Sequence, residues 1–240
     1  TTSMHQNYRY DFPMQIIFLR AKARQWSAAV TRAGCRRRTD PMQLFTSPTS
    51  PYARKVRMVV FEIGLSDRVR EVIVNPFDTP QDLVGANPLG KVPTLVLSSG
   101  EAIFDSTVIC AFLDSLGSGP RLIPDAPQAW RVLTHQALGD GMLDALFALV
   151  IERRRPIAEQ SATWQARWRA AFLRATDVLE AEPGVFGPDL TLAQITFGAA
   201  LGYADFRTPD IDWRTGHPRL AKAFAGFARR PSMQATQPVG

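Results

Sequence analysis

The chain has 240 residues, 45% of them apolar, with 28 Lys plus Arg against 22 Asp plus Glu and a formal charge of +6. That apolar content supplies a core for one large domain or two small ones. No run of about 18 apolar residues offers a membrane-spanning helix, and Cys35 and Cys110 are too few for a disulfide framework or a cysteine-rich metal site. The charge is uneven: residues 1–41 carry eight basic and two acidic residues, whereas 42–240 carry 20 of each and sum to zero. The body therefore has no net excess with which to read nucleic acid.

Residues 1–41 are Arg-rich and acid-poor, which is the composition of a transit peptide, and the apolar run 16–19 is short for a secretion signal. The simpler reading, which we favour, places the native start at Met42, directly before the first strand-like run, with 1–41 outside the fold. The sparse cysteines suit a reduced, cytoplasmic compartment.

From Met42 the pattern gives a short strand at Leu44-Phe45, a polar loop over 46–50 and a helix. Val56, Val59, Val60 and Ile63 lie at the i, i+3, i+4, i+7 spacing of one buried helical face, and Gly64 closes it as a left-handed cap. Val72 and Val74 alternate as in a strand; 75–90 reads as irregular or a short helix. Residues 94–97 and 102–104 form a hairpin across Ser98-Ser99-Gly100. Ser106 opens a helix that turns Ile109, Phe112, Leu113 and Leu116 inward. A linker follows at Gly117-Ser118-Gly119-Pro120 with Pro124 and Pro127, and everything beyond it reads as helical. The stripe Trp164, Trp168, Ala171, Phe172, Ala175, Leu179 is expected in the core. Thr191-Leu192-Ala193-Gln194 has the form of a capping box opening a nearly all-apolar central helix.

Three segments carry chemistry. Ser50-Pro51 begins the first helix with proline at N1; Ser50 is either a plain N-cap or a hydroxyl at a helix end that favours an anion. Val92-Pro93 precedes a strand, where proline cannot donate to the ladder. At an edge the Val92 backbone could instead pair with an extended peptide, and a cis bond at Pro93 would turn it toward the helix N-terminus. Asp105-Ser106 opens a further helix. It is either a second cap or a pair in which Ser106 holds a carboxylate and Asp105 an ammonium, as the zwitterionic end of an amino acid requires.

Ser50-Pro51-Tyr52-Ala53 resembles the Cys-Pro-Tyr-Cys of glutaredoxins with both cysteines lost. Asn87-Pro88-Leu89-Gly90-Lys91-Val92-Pro93, followed by Phe104-Asp105-Ser106, resembles the glutathione site of the glutathione transferase family, in its bacterial serine-type form. The helix start Leu192-Ala193-Gln194-Ile195 and the closing Arg230-Pro231-Ser232 are similar to it too, so the likeness runs from Met42 nearly to the C-terminus. The resemblance implies an α/β plus all-α chain: a thioredoxin-like N-terminal domain over 42–117, a linker over 118–127 and an all-helical C-terminal bundle domain over 128–240, commonly a homodimer. By position, Ser50 would be the catalytic residue that hydrogen-bonds the glutathione sulfur. Val92 would pair with the cysteinyl backbone, and Pro93 would be the cis proline. Asp105 and Ser106 would hold the γ-glutamyl end, and Lys91 would meet the glycyl carboxylate. Ser47 is the rival for the sulfur. Gln194 stands where the family usually has Asp, and the absence of cysteine at position 50 argues against a mixed-disulfide mechanism.

The implied activity is a glutathione transferase that acts in detoxification, presenting the thiolate to a small, mostly apolar electrophile. It uses no metal and no nucleic-acid or membrane partner. The alternative is a non-catalytic binding or protein-interaction module on the same fold. His135 and His217 are expected to be structural, Cys110 a buried inert thiol and Arg153-Arg154-Arg155 a solvated helix end, while Tyr52 serves packing or ligand. The second-substrate pocket is expected to border 140–151 and 203–213. A chain beginning at Met42 is expected to keep the melting temperature and glutathione affinity of the full chain, which calorimetric melting and titration check.

Overall fold

The computed structural model describes residues 41–117, 119 and 121–239. The expectation for residues 1–41 and for Cys35 falls, apart from Pro41, outside the described residues.

Strand β1 (Met42–Thr46) is apolar at alternate positions and buried at four of five, because it lies in the interior of a four-stranded sheet of order β2-β1-β3-β4. It pairs in parallel with β2 (Val69–Ile73), Met42 opposite Val69, and antiparallel with β3 (Thr94–Val96), Leu44 opposite Leu95. Strand β4 (Ala102–Ile103) completes the hairpin, with Ile103 opposite Leu95. The parallel pair is joined through helix α1 (Pro51–Glu62), as parallel strands require a crossover. Its Val56 and Val59 are fully buried, and Gly64 adopts φ +70°, the left-handed conformation expected of it. Strand β2 starts at Val69, earlier than the Val72–Val74 alternation suggested, because a 3₁₀ turn at Ser66–Arg68 returns the chain to the sheet there. Between β2 and β3 lie a 3₁₀ turn (Pro76–Asp78) and helix α2 (Gln81–Ala86), and helix α3 (Ser106–Leu116) buries Ile109 and Leu113.

Among the described residues all remaining regular structure is helical: α4 (Gln128–Glu152), a 3₁₀ turn at Ile157–Glu159, α5 (Ala162–Ala181), α6 (Leu192–Arg207), α7 (Pro218–Phe227) and α8 (Pro231–Ala235). The fold is thus a thioredoxin-like sheet domain followed by a helical domain. Helix α6 is buried almost all round, and its expected box is formed: Gln194 N–H donates to Thr191 Oγ1 and Thr191 N–H to Gln194 Oε1. The α5 stripe is buried core at Phe172, Ala175 and Leu179, with Trp168 packed half-buried against it. Trp164, in the first turn of its helix, is 52% exposed and stacks on Trp168 at 5.6 Å between ring centres. Cys110 is buried, and burial pushes its thiol up to about 12, which leaves it inert. His217 is held by the Trp213 carbonyl and Asp177 at 2.7 and 2.9 Å, a structural role. Among the described residues no helix is long and apolar enough to cross a membrane.

Helix α1 is tied to the end of the chain. Glu62 accepts from Arg230 Nε and Nη2, at 3.0 and 2.8 Å, and from Ser232 Oγ at 2.5 Å, so Arg-Pro-Ser is the grip of α8 on α1. Arg54, 6% exposed, donates to the Met233 carbonyl at 3.1 Å and to Thr236 Oγ1 at 3.5 Å. Gly202 of α6 gives it room, since a Cβ there would stand 2.5 Å from Nη1. Partial burial draws the Glu62 carboxyl upward, but the bonds from Arg230 and Ser232 outweigh it and hold the group below its ordinary value. A carboxyl held low when folded contributes stability above its unfolded value, about 4.3, and loses that contribution as pH falls through the folded value. Glu62→Gln is expected to cost about 1–2 kcal/mol at pH 7, with the gap to wild type closing toward pH 3, as urea unfolding at the two pH values measures.

Candidate functional site

A cavity of about 590 Å³ opens between the sheet domain and helices α4 and α6. Ser50, Lys91, Val92, Pro93, Asp105 and Ser106 all line it, as do Ser47 and Tyr52. Residues 55 positions apart in sequence are brought together because β1 and β3 are neighbours, which sets the ends of three loops side by side.

Ser50 caps α1: its Oγ accepts from Ala53 N–H at 3.2 Å, and its own N–H donates to the Ser47 carbonyl at 3.0 Å. Accepting through a lone pair leaves the Ser50 hydroxyl proton free to donate into the cavity. The Val92–Pro93 bond is cis, as expected. The turn before it is held from below, where Asn87 Nδ2 and Thr94 Oγ1 both donate to the Lys91 carbonyl, at 3.2 and 2.8 Å. Among the described residues the Val92 peptide N–H and C=O make no hydrogen bond, so this stretch is an open backbone edge. Asp105 caps α3 through Thr107 N–H at 3.0 Å and stays exposed, whereas Ser106 is buried at the first position of the helix.

The far wall comes from the helical domain, within the stretches expected to border it: Asp140, Asp144 and Phe147 of α4, and Tyr203 and Arg207 of α6. Arg154, just past α4, and Phe77 of the sheet domain also line the cavity; sequence analysis assigns no role to Phe77 and reads Arg154 as solvated. The run Arg153-Arg154-Arg155 is not a uniformly solvated end. Arg153 forms a two-pronged pair with Asp210 at 2.8 Å, Arg155 reaches Glu159 at 3.2 Å, and Arg154 faces the cavity with its guanidinium 5.4 Å from the Phe77 ring centre. Alternation of partners around the turn after α4 separates the three, and three like residues in a row carry no signal of that.

Beneath the cavity lies a network that sequence reasoning missed entirely. Lys55, fully buried on α1, pairs with Asp140 at 2.5 Å, and the other Asp140 oxygen accepts from Thr107 Oγ1 at 3.1 Å and Gln136 Nε2 at 3.4 Å. Lysine on an amphipathic helix reads as a surface residue; here its partner lies 85 residues away. Tyr52 packs, as one of the two readings had it, and also lines the cavity. Its hydroxyl donates to Asp144 Oδ1 at 2.5 Å while its ring meets Phe147 edge-on at 6.0 Å. Burial, and then the bond to Asp144, drive the Tyr52 hydroxyl upward, so it remains a proton donor. The Tyr203 hydroxyl is raised by burial, against the pull of the Arg207 and Arg154 charges. Among the described residues no three His, Cys, Asp or Glu side chains are grouped to hold a metal.

The profile described as "Glutathione S-transferase, N-terminal domain" matches residues 49–116, and that described as "Glutathione S-transferase, C-terminal domain" matches 162–225. The GST-like protein YibF of Escherichia coli is 35% identical over 202 residues, spanning 82% of this chain and 98% of its own. The chain belongs to the glutathione transferase family. Among solved structures, a glutathione transferase family member from Pseudomonas fluorescens Pf-5 with bound glutathione is 39% identical, with a TM-score of 0.80 over 83% of this chain and all (100%) of its own. A second structure from that organism holds S-(propanoic acid)-glutathione and is 38% identical, with a TM-score of 0.75 over 83% of this chain and 98% of its own.

Within this glutathione transferase fold, the Lys55–Asp140 pair is the polar tie across the floor. Removing one partner of a buried pair leaves an unmatched charge and costs about 3–5 kcal/mol. Because Asp140 keeps some contact with water, Lys55→Met is expected at the low end, about 3 kcal/mol. Lys55→Met with Asp140→Leu is expected to recover more than half of that loss, read from a double-mutant cycle in urea.

Proposed function

We propose that the protein is a glutathione transferase that binds glutathione in this cavity and presents its thiolate to a small, mostly apolar electrophile. The observation that carries the proposal is the convergence, in one cavity, of a free hydroxyl proton at a helix start, an unpaired backbone edge and an Asp-Ser pair. In this reading residues 42–117 form the glutathione-binding domain, 118–127 the linker and 128–240 the helical domain. Ser50 donates to the sulfur, Val92 pairs with the cysteinyl backbone beside Pro93, Ser106 and Asp105 take the carboxylate and ammonium of the γ-glutamyl end, and Lys91 takes the glycyl carboxylate. The glutathione and its propanoic acid conjugate held by the Pseudomonas relatives support both the ligand and substitution at its sulfur. Family membership supports a cytoplasmic homodimer acting in detoxification.

The chemistry asked of the site is modest. A thiol with pKa near 8.5 is only a few per cent thiolate at pH 7, and lowering it by about two units takes roughly 2.7 kcal/mol of preference for the anion. A hydrogen bond to a charged acceptor supplies about 1.5–3 kcal/mol and a helix N-terminus about 0.3–1. Ser50 at the start of α1 combines the two. On binding, the thiol proton leaves to solvent; in the chemical step the sulfur forms a bond to the electrophilic carbon, and the leaving group departs with its electron pair. Tyr52, locked as a donor to Asp144, takes no part as a base.

Ultraviolet thiolate absorbance of bound glutathione against pH tests this. The bound thiol is expected to titrate about two units below the free one, and Ser50→Ala to return it upward by one unit or more with glutathione affinity changed less than about threefold. A return caused by Ser47→Ala but not Ser50→Ala would move the role to Ser47. Binding without any shift in the thiol would make the chain a carrier or interaction module.

A further inference from the structure

The charges that line the cavity exceed what glutathione needs. Three carboxylates and three cations face it: Asp105, Asp140 and Asp144, with Lys91, Arg154 and Arg207. Asp140 is neutralised by Lys55, and Asp144 is occupied by the Tyr52 hydroxyl. Glutathione brings one ammonium and two carboxylates, which in the reading above are met by Asp105, Ser106 and Lys91. Arg154 and Arg207 are then left over. Among the described residues neither guanidinium has a hydrogen bond or a carboxylate partner.

Both are held for use. Each follows or ends a helix, Arg154 just past α4 and Arg207 in the last turn of α6, where the negative end of the helix dipole favours a cation. Each lies over an aromatic ring, Arg154 over Phe77 at 5.4 Å and Arg207 over Phe206 at 4.2 Å. A ring beside a guanidinium uses none of its N–H groups as donors to oxygen, so the planar fork that receives a carboxylate two-pronged stays available. Arg207 stands four residues after Tyr203 on the same helical face, and Phe147 and Tyr203 line the same cavity as the two arginines.

We propose that Arg154 and Arg207 bind an acidic group on the second substrate, so that the electrophile is a small organic acid with an apolar body and a carboxylate at the arginine end. The inference rests on the glutathione-site reading, and it adds a substrate class to it. The bond-making step is unchanged: carbon–sulfur bond formation with loss of the leaving group and its electron pair. The carboxylate is a handle that takes no part in it.

Matched conjugates separate this inference from the transferase reading, because they need binding and not turnover. Calorimetry of the full chain compares S-(carboxymethyl)- with S-(carbamoylmethyl)glutathione, and S-(4-carboxybenzyl)- with S-(4-carbamoylbenzyl)glutathione. The acid is expected to bind at least tenfold tighter than its amide in one or both pairs. Arg154→Met and Arg207→Met are each expected to lower that preference severalfold, and the double variant to abolish it, while unmodified glutathione binds alike throughout. No acid preference in either pair overturns the proposal. So does a variant that weakens glutathione itself as much as its conjugates, since the arginines would then serve the glycyl carboxylate. If the acid preference and its loss are seen but the thiol of bound glutathione is not shifted, the anion site stands and the transferase reading fails.

Discussion

The ion pair between Lys55 and Asp140 is the constraint around which the site is arranged. An ammonium without exposure to water is tolerated only against a well-placed partner, since desolvating a charge costs several kcal/mol. That partner sits on α4, and its second oxygen is taken by Thr107 of α3 and Gln136. Three helices are therefore held in a single relative placement beneath the cavity. Ser50 caps the helix that carries Lys55, and Ser106 is the neighbour of Thr107. The positions of the Ser50 hydroxyl and of the Asp105-Ser106 pair are both consequences of one buried charge finding its acceptor.

Helix α1 gives each of its sides a separate task. Its start lines the cavity through Ser50, its apolar face enters the core through Val56 and Val59, and Arg54 and Glu62 reach α8 and the residue after it. The wall opposite Ser50 belongs to α4, α6 and the turn after α4, which contribute aromatic rings and arginines. One half of the cavity is thus built from backbone edges and helix starts of the sheet domain, suited to a constant peptide. The other half is built from side chains, which can change without disturbing the fold.

This division also sets what the sequence could tell. The sheet-domain half was legible because its signals are local: proline after a serine at a helix start, proline before a short strand, Asp-Ser before an apolar helix. Val56, Val59 and Val60 announced their buried face by spacing alone, and Thr191 with Gln194 announced a box that is formed. Lys55, Asp140 and Asp144 were silent, because each depends on a contact between residues 85 or more positions apart, which leaves no local pattern. Trp164 misled for a related reason. It continues the helical period of Phe172 and Leu179, but periodicity does not say where the neighbouring helices stop. Arg154 could not be told from Arg153 and Arg155, since what distinguishes them is which way each reaches from a turn.

Arg54 carries a consequence for how the chain is made. Its guanidinium is buried with no carboxylate partner among the described residues; burial, with some repulsion from Arg57, lowers it to about 10, and its acceptors are the carbonyl of Met233 and the hydroxyl of Thr236. Those acceptors lie 179 and 182 residues downstream. Until residues 233–236 have left the ribosome, the sheet domain therefore presents to water a cation that its finished form conceals, and that seam cannot close before they do.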